Sequence, residues 1–374
     1  MRVVNRDTPP RVGKSAAIAA ALALLTSLPV LAQRSTLPPV RHLFVIVLEN
    51  EGFDSTFQAT SQAPYLADTL TKAGAFLRQY HGTGHVSLDN YIAMISGLAP
   101  SRETQIDCPR FSEFVQTGKA RDGQPIGSGC VYPKSIKTVA NQLEDKRLSW
   151  SAYMEDMGAD TTREANTCAH PVIGSLDSTQ RATPLDQYAT KHNPFVYFHS
   201  VIDSKSCHKN VVALPALEHA LESISSTPNY SFISPSLCHD GHDRPCKNGE
   251  IGGLESADEF LRHWVPLITS SPAFRADGML VITFDEAWTI DATACCDEQP
   301  GPNVLNPGIN GPGGGRIGAV VLSPFVRPGT ISDVPYNHFS FLKTVEDLFG
   351  LGHLGYAGQK GLTAFGSDVF STRE

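Results

Sequence analysis

A histidine and a serine lie two residues apart in the segment 83–91, Thr-Gly-His-Val-Ser-Leu-Asp-Asn-Tyr. The segment starts in a glycine-containing turn and runs into the apolar stretch 91–95, which is typical of a helix. Ser87 is then expected at a helix N-terminus, where unpaired N–H groups and the helix dipole favour a phosphate. Ser87 is therefore a candidate nucleophile, although an ordinary N-cap serine gives the same pattern.

Acidic and amide side chains follow two apolar runs that have the composition of buried strands. Glu49-Asn50 follows residues 43–48, and Asp285-Glu286 follows residues 279–284. Ligands of open α/β sheets bind beyond the carboxyl ends of the strands, so these side chains are expected at one site. Buried carboxylates need a counter-charge, and their oxygens suit Ca²⁺, Mg²⁺ or Mn²⁺. A solvated turn is the alternative for Asp285-Glu286.

Histidines follow a third apolar strand, 230–234, in the sequence His-Asp-Gly-His-Asp at 239–243. Together with His338 they would suit a borderline ion such as Zn²⁺, or act as acid and base groups. A structural role is the alternative for each histidine, and the identity of the metal stays open among Ca, Mg, Mn and Zn.

A mechanism follows from these groups. Serine is a weak nucleophile near neutrality unless a base or a metal lowers its pKa. Bound to a divalent cation, Ser87 would attack phosphorus, and the cation and the helix N-terminus would stabilise the developing charge. His85 or His242 would protonate the leaving group or orient the phosphate, and Asn90 would donate to a phosphoryl oxygen.

The N-terminal segment 1–32 is typical of a secretory signal peptide, with basic residues, an apolar core at 16–25 and small residues before a cleavage point near Ala32. The core is short for a membrane span, so no stable span is expected after cleavage. Residues 33–374 are then a single catalytic domain, secreted or periplasmic. The net charge of −8 disfavours nucleic acid as a partner. The oligomeric state stays open.

All eight cysteines lie after the predicted cleavage point. An even number in an oxidising compartment predicts disulfides, and Cys108–Cys130 is the pair that we favour. Zinc–thiolate binding is a weak alternative because the chain has no CxxC pair.

Strands and helices alternate along the chain, which predicts an α/β fold with a largely parallel sheet. The predicted strands are 43–48, 75–80, 230–234, 279–284 and 317–322. The predicted helices are 64–73, 133–146, 214–224, 256–268 and 337–349. Residues 157–194 and 292–315 are polar or rich in Gly and Pro, and are predicted to be surface excursions.

Five motifs in this order resemble the phosphoesterase family of secreted acid phosphatases and phospholipases C, within the alkaline phosphatase superfamily. They lie at 47–54, 84–91, 233–243, 283–286 and 336–340, and the resemblance spans roughly residues 41–351. It implies an alkaline-phosphatase-like three-layer sandwich, and phosphomonoester hydrolysis through a phosphoserine intermediate on Ser87. The form of the 84–91 motif is closer to the bacterial phosphatases, including a phosphatidylinositol 3-phosphatase, than to the phospholipases.

The resemblance also implies roles for individual residues. The metal would be held by Glu49, Asn50, Ser87, Asp285 and Glu286. The phosphate, a second ion or the substrate would be surrounded by His85, Asn90, His239, His242, Asp243 and His338. The expected substrate is a phosphorylated small molecule or lipid. The alternatives are a phosphodiesterase of the phospholipase C type and, from another class, an exported non-catalytic binding protein.

Overall fold

The computed structural model describes residues 37–371. The predicted signal peptide, 1–32, lies outside the described residues, so its cleavage and the extent of the catalytic domain stay predictions. The strands are β1 (His42–Leu48), β2 (Ala75–Leu77), β3 (Tyr80–His81), β4 (Val115–Lys119), β5 (Pro125–Ser128), β6 (Trp150–Met154), β7 (Val211–Ala213), β8 (Tyr230–Ser234), β9 (Gly278–Phe284), β10 (Ala319–Leu322), β11 (Thr330–Ser332) and β12 (Tyr336–Asn337).

The α-helices are α1 (Phe53–Phe57), α2 (Thr71–Ala73), α3 (Ser87–Ser96), α4 (Val139–Asp145), α5 (His199–Ile202), α6 (Lys205–Asn210), α7 (Ala216–Ala220), α8 (Gly253–Ser270), α9 (Pro272–Asp277) and α10 (His338–Phe349). A π-helical segment precedes α2 at Tyr65–Leu70. No helix of the described part of the chain is long and apolar enough to cross a membrane.

Eight strands form the central sheet in the order β11-β2-β10-β9-β1-β8-β6-β7. Within this sheet β10 alone runs antiparallel to its neighbours. Every residue of β1 and β9 is buried, which explains why both read as continuous apolar runs. The prediction of an α/β fold with a largely parallel sheet is confirmed, and helices cover the sheet in a three-layer arrangement.

The register of the central strands positions the candidate site. In the β1–β9 pair, His42 lies opposite Gly278 and Leu48 opposite Phe284, so both strands end at the same level. Strand β8 pairs with the other edge of β1 in the same direction. The segments that follow β1, β8 and β9 therefore leave the sheet side by side, as the sequence predicted.

Some elements differ from the prediction. The helix expected at 133–146 begins only at Val139, because Thr138 and Asn141 form a capping box there. The strand expected at 75–80 divides into β2 in the central sheet and β3, which pairs with β12. Strand β6 was not predicted, because Trp-Ser-Ala-Tyr-Met has neither a continuous apolar run nor a clean alternation.

Four disulfides pair all of the cysteines. The predicted Cys108–Cys130 bond is confirmed, and the others are Cys168–Cys207, Cys238–Cys246 and Cys295–Cys296. Since no free thiol is left in the described chain, the zinc–thiolate alternative is wrong.

Candidate active site

Ser87 is the first residue of α3, and the N-cap position belongs to Val86, whose side chain makes no capping bond. The Ser87 hydroxyl instead donates to Glu49 Oε2 at 2.7 Å. Asn50 Nδ2 donates to the same carboxylate oxygen at 2.6 Å and lies 3.5 Å from Ser87 Oγ. Ser87 is therefore engaged with the end of β1, and the simple N-cap interpretation is not what the structure shows.

The residues after β9 join the same group. Asp285 Oδ1 accepts hydrogen bonds from the backbone N–H groups of Asn50, at 2.9 Å, and of Glu286, at 2.6 Å. These bonds tie the ends of β1 and β9 together across the sheet. Ser87, Asp285 and Glu286 are fully buried and Glu49 almost so. The structure thus brings together the five predicted metal ligands, Glu49, Asn50, Ser87, Asp285 and Glu286.

Five buried carboxyl groups surround this point, and each has at least one oxygen without a hydrogen-bond partner among the described residues: Glu49, Asp89, Asp240, Asp285 and Glu286. Burial raises the pKa of each carboxyl group, and neighbouring carboxylates raise it further. So many orphaned acceptors in one buried cluster require a counter-charge. Oxygen donors of this kind fit a hard divalent cation such as Mg²⁺, Ca²⁺ or Mn²⁺.

Another group of possible metal ligands does not fit an ion. Cys238, His239 and Glu250 offer ligand atoms close to one another. The Cys238 sulfur, however, is bonded to Cys246 in a disulfide, so no thiolate is available.

The irregular segment 157–194 supplies two residues that sequence reasoning missed, Lys191 and His192. The His192 ring stacks on Tyr91 with centroids 5.2 Å apart, and its Nε2 lies 3.2 Å from Glu49 Oε1. Its Nδ1 lies 3.5 Å from Asp240 Oδ2, and neither contact has hydrogen-bond geometry. Burial, followed by the charge of Lys191, lowers the pKa of His192 well below its ordinary value. His192 therefore faces two carboxyl groups with an imidazole whose charged form burial disfavours.

Lys191 links the site to the start of α3. Its Nζ lies 2.8 Å from Asp107 Oδ2, and Asp107 Oδ1 accepts the backbone N–H of Leu88 at 3.0 Å. The helix N-terminus expected to hold a phosphate thus holds the Asp107 carboxylate at Leu88. The sequence feature that could have indicated this segment is the run Pro-Phe-Val-Tyr-Phe at 194–198. This run is buried, and it places the preceding Lys191 and His192 inside the protein.

His85 and His338 lie behind the metal-candidate carboxylates. His85 Nδ1 contacts Glu286 Oε2, and its Nε2 lies 3.0 Å from the Asp291 carbonyl. His338 Nε2 contacts the Asp285 carbonyl, and its Nδ1 lies 3.2 Å from the Tyr80 hydroxyl. Both rings use both nitrogens within the protein. In this arrangement neither histidine has a ring nitrogen left for the predicted contact with substrate. The rings contact Glu286 and the Asp285 carbonyl instead.

Asn90 organises the loop before Ser87. Its Oδ1 accepts the backbone N–H groups of Thr83, at 2.8 Å, and Gly84, at 3.0 Å. Its Nδ2 donates to the carbonyl oxygens of Gly84, at 2.9 Å, and Val86, at 3.3 Å. The amide predicted to bind phosphate is therefore fully used in holding the loop that presents Ser87.

The motif 239–243 divides into two parts. His242 bonds through Nδ1 to Asp243 Oδ1 at 2.9 Å, and its side chain is 49% exposed. This bond raises the pKa of His242 to about 8. His239 lies 2.9 Å from both Glu155 and Glu250, which raise its pKa to about 9 although burial opposes them. His242 and Asp243 line a pocket of about 550 Å³ together with Lys191, whereas His239 is outside it.

Most of the described chain matches one protein family. The sequence model of the Phosphoesterase family matches residues 59–352. A phosphate-repressible acid phosphatase of Penicillium chrysogenum is 26% identical, over 76% of this chain and 54% of its own length. A phosphatidylinositol-3-phosphatase of Mycobacterium tuberculosis is 23% identical, over 86% of this chain and 81% of its own length. The chain spans little more than half the length of the fungal relatives.

Solved structures align with this chain at low sequence identity. The crystal structure of Ps i-CgsB aligns with a TM-score of 0.51 and 14% identity, over 88% of this chain and 76% of that protein. A protein of the alkaline phosphatase superfamily from Vibrio parahaemolyticus aligns with a TM-score of 0.48 and 12% identity, over 83% of this chain and 67% of its own.

Proposed function

The chain belongs to the phosphoesterase family, and from this premise we propose that it is an exported, metal-assisted phosphatase that hydrolyses phosphate monoesters. The observation that carries the proposal is the Ser87 hydroxyl, bonded at 2.7 Å to Glu49 inside a cluster of buried carboxylates. A serine held by a carboxylate that can take its proton is the arrangement of an activated nucleophile. The names of the phosphatase relatives support the monoester class.

The residues fit a divalent cation held by Glu49, Asn50, Ser87, Asp285 and Glu286. When bound, such a cation supplies Lewis-acid stabilisation of phosphoryl oxygens and favours the deprotonated serine hydroxyl. His85 and His338 keep Glu286 and Asp285 in position through their own hydrogen bonds.

The chain's own groups move the protons. Glu49 Oε2 accepts the Ser87 proton as Ser87 Oγ bonds to phosphorus and the ester oxygen leaves. His242, with its pKa raised to about 8, is charged at acidic and neutral pH and can protonate that oxygen. Water then attacks phosphorus and gives a proton to His242, while Ser87 Oγ leaves as it takes back the proton held by Glu49, so that phosphate is released and both groups are restored. Lys191 balances part of the negative charge beside Glu49.

The first experiment tests the nucleophile. Purified residues 33–374 are given p-nitrophenyl phosphate and a choline phosphodiester at acidic to neutral pH. We expect monoester turnover, loss of activity in Ser87→Ala, and a phosphate on Ser87 in acid-quenched protein by mass spectrometry. Ser96→Ala is the matched control, because Ser96 lies in the last turn of α3 and donates only to the Ile92 carbonyl. Full activity of Ser87→Ala would rule out the proposed nucleophile, and turnover of the diester alone would favour the phospholipase alternative.

The second experiment tests the metal. Elemental analysis of the purified protein is compared with that of the Glu49→Gln variant, and activity is measured after exhaustive chelation and after return of Mg²⁺, Ca²⁺, Mn²⁺ or Zn²⁺. We expect a stoichiometric ion in the parent protein and much less in the variant. Full activity in protein shown by analysis to be metal-free would contradict metal assistance.

A further inference from the structure

A basic pocket lies beside the Ser87 cluster in a chain whose overall charge is negative. Its volume is about 550 Å³, and four of its eleven lining residues carry a positive charge against one carboxylate. The charged and titratable lining residues are Arg181, Lys191, Arg244, Lys247, His242 and Asp243. In a protein of net charge −8 such a concentration of cations favours an anionic ligand.

Two of the lining residues place the pocket next to the catalytic cluster. Lys191 lines it and is followed by His192, whose Nε2 lies 3.2 Å from Glu49 Oε1. His242 lines it as well, and its backbone N–H donates to Asp240 at 2.9 Å. A substrate whose phosphate reaches Ser87 would therefore extend into this pocket.

Among the residues that the structure describes, Lys191 alone of the four cations forms an ion pair with a carboxylate. Lys191 pairs with Asp107, and Arg244 bonds to Gln62. The Arg181 guanidinium and the Lys247 ammonium group have no hydrogen-bond or ion-pair partner within residues 37–371. Arg244 and Lys247 flank Cys246, which the disulfide with Cys238 anchors beside the catalytic motif. An unpaired Lys247 on this anchored loop and an unpaired Arg181 from the segment 157–194 are suited to phosphate oxygens.

We propose that the basic pocket binds a second phosphate group of the substrate, so that the enzyme prefers compounds with two phosphate groups to simple monoesters. This inference rests on the proposed phosphatase function and names its substrate class. The second phosphate is either that of a soluble bisphosphate or the diester phosphate of a phosphoinositide headgroup, because both present the same oxygens to Arg181 and Lys247.

The test compares fructose 1,6-bisphosphate with fructose 6-phosphate, and dioctanoyl phosphatidylinositol 3-phosphate provides the lipid arm. In the double variant Arg181→Gln/Lys247→Gln we expect kcat/KM for the bisphosphate to fall about tenfold, mainly through KM, and that for fructose 6-phosphate to change less than about twofold. Lys119→Gln/Arg121→Gln, on the exposed β4–β5 hairpin, removes the same charges outside the pocket and is expected to change neither. A loss confined to the lipid arm would assign the pocket to headgroups.

Equal losses for the two fructose phosphates, or no loss for either bisphosphate or lipid, would overturn the proposal. If the double variant does not fold, the salt dependence of KM in the parent protein tests the proposal. KM for the bisphosphate is expected to rise more steeply with NaCl than KM for fructose 6-phosphate. Absence of turnover for every ester would instead count against the phosphatase function. Calorimetric binding of pyrophosphate to the parent and the double variant would then decide on the pocket alone.

Discussion

Two regions of the chain supply the side chains around Ser87, and they reach it in different ways. Glu49-Asn50 and Asp285-Glu286 directly follow β1 and β9, whose register sets the two pairs side by side. Lys191 and His192 come from an irregular segment and depend on the burial of the run that follows them. The register of the sheet sets the positions of the strand-end residues, whereas side-chain packing sets those of Lys191 and His192.

The two regions also differ in chemistry. The strand ends contribute buried carboxyl groups whose pKa values burial raises, and a bound cation would neutralise their charged forms. The irregular segment contributes Lys191 and the imidazole of His192, which lie near these carboxylates, and Lys191 also lines the basic pocket. We infer that the strand ends hold the cation and nucleophile, and that the irregular segment shapes the environment of the substrate.

The largest effect is expected at a strand end. Asp285→Asn keeps the oxygen that accepts the backbone N–H groups of Asn50 and Glu286, but removes a charge from the cation site. We expect activity to fall by on the order of 10³-fold. In chelator the variant is expected to melt at the same or a higher temperature than the parent protein, because one of several like charges in a buried cluster is gone.

Asp277→Asn is the matched control for this change, since Asp277 directly precedes β9 at its opposite end and bonds to His42 Nδ1 at 2.6 Å. It is expected to lower the melting temperature and leave activity within a few-fold. Comparable loss of activity in both variants would show that the sheet, and not the cation site, had been damaged.

A smaller effect is expected in the irregular segment. His192→Phe keeps an aromatic ring stacked on Tyr91 and removes the nitrogens facing Glu49 and Asp240. We expect kcat/KM to fall by about 10²-fold while the melting temperature stays constant or rises, because two unpartnered buried nitrogens are lost. Steady-state kinetics and calorimetry measure the two quantities.

His170→Phe is the control for the irregular segment, because His170 also stacks on an aromatic ring, that of Phe111, at 5.5 Å. Its activity is expected to match that of the parent protein. Unchanged kcat/KM in His192→Phe would show that His192 does not contribute to catalysis. The strand-end residues alone would then account for the activity.

The sequence predicted the framework of the site because that framework is encoded locally. Strands β1 and β9 contain continuous apolar runs, β8 is a short aromatic-rich strand, and turn or polar residues follow all three, so their limits were predicted within one residue. Parallel pairing then fixes where Glu49 and Asp285 emerge. For Lys191 and His192 the only local signal is the apolar run 194–198, and their contacts are with residues distant in sequence such as Tyr91 and Asp107.

Roles were harder to predict than locations. His85, Asn90 and His338 do lie around the cluster, as expected, but their side-chain atoms bond to Asp291, to the loop 83–86 and to Tyr80. The partners of His85 and His338 come from elements that the sequence does not place next to them, whereas those of Asn90 lie just before it in the chain. A motif therefore indicates which residues approach a site, whereas the hydrogen-bond partners decide which of them face the substrate.

His239 provides the smallest and sharpest test of that distinction, since it belongs to a site motif yet lies between Glu155 and Glu250. Because these carboxylates raise its pKa from 6.5 to about 9, folding favours the protonated ring. The stabilisation is complete below the unfolded-state pKa and is lost as pH rises through about 9. His239→Gln is expected to cost about 1 kcal/mol at pH 6 and little above pH 10, with kcat within about twofold. His219→Gln, at an exposed histidine 3.1 Å from Glu222, is expected to change neither quantity. A tenfold loss of kcat in His239→Gln, with the pH dependence of stability unchanged, would contradict this structural role and support the predicted role of His239 in substrate binding.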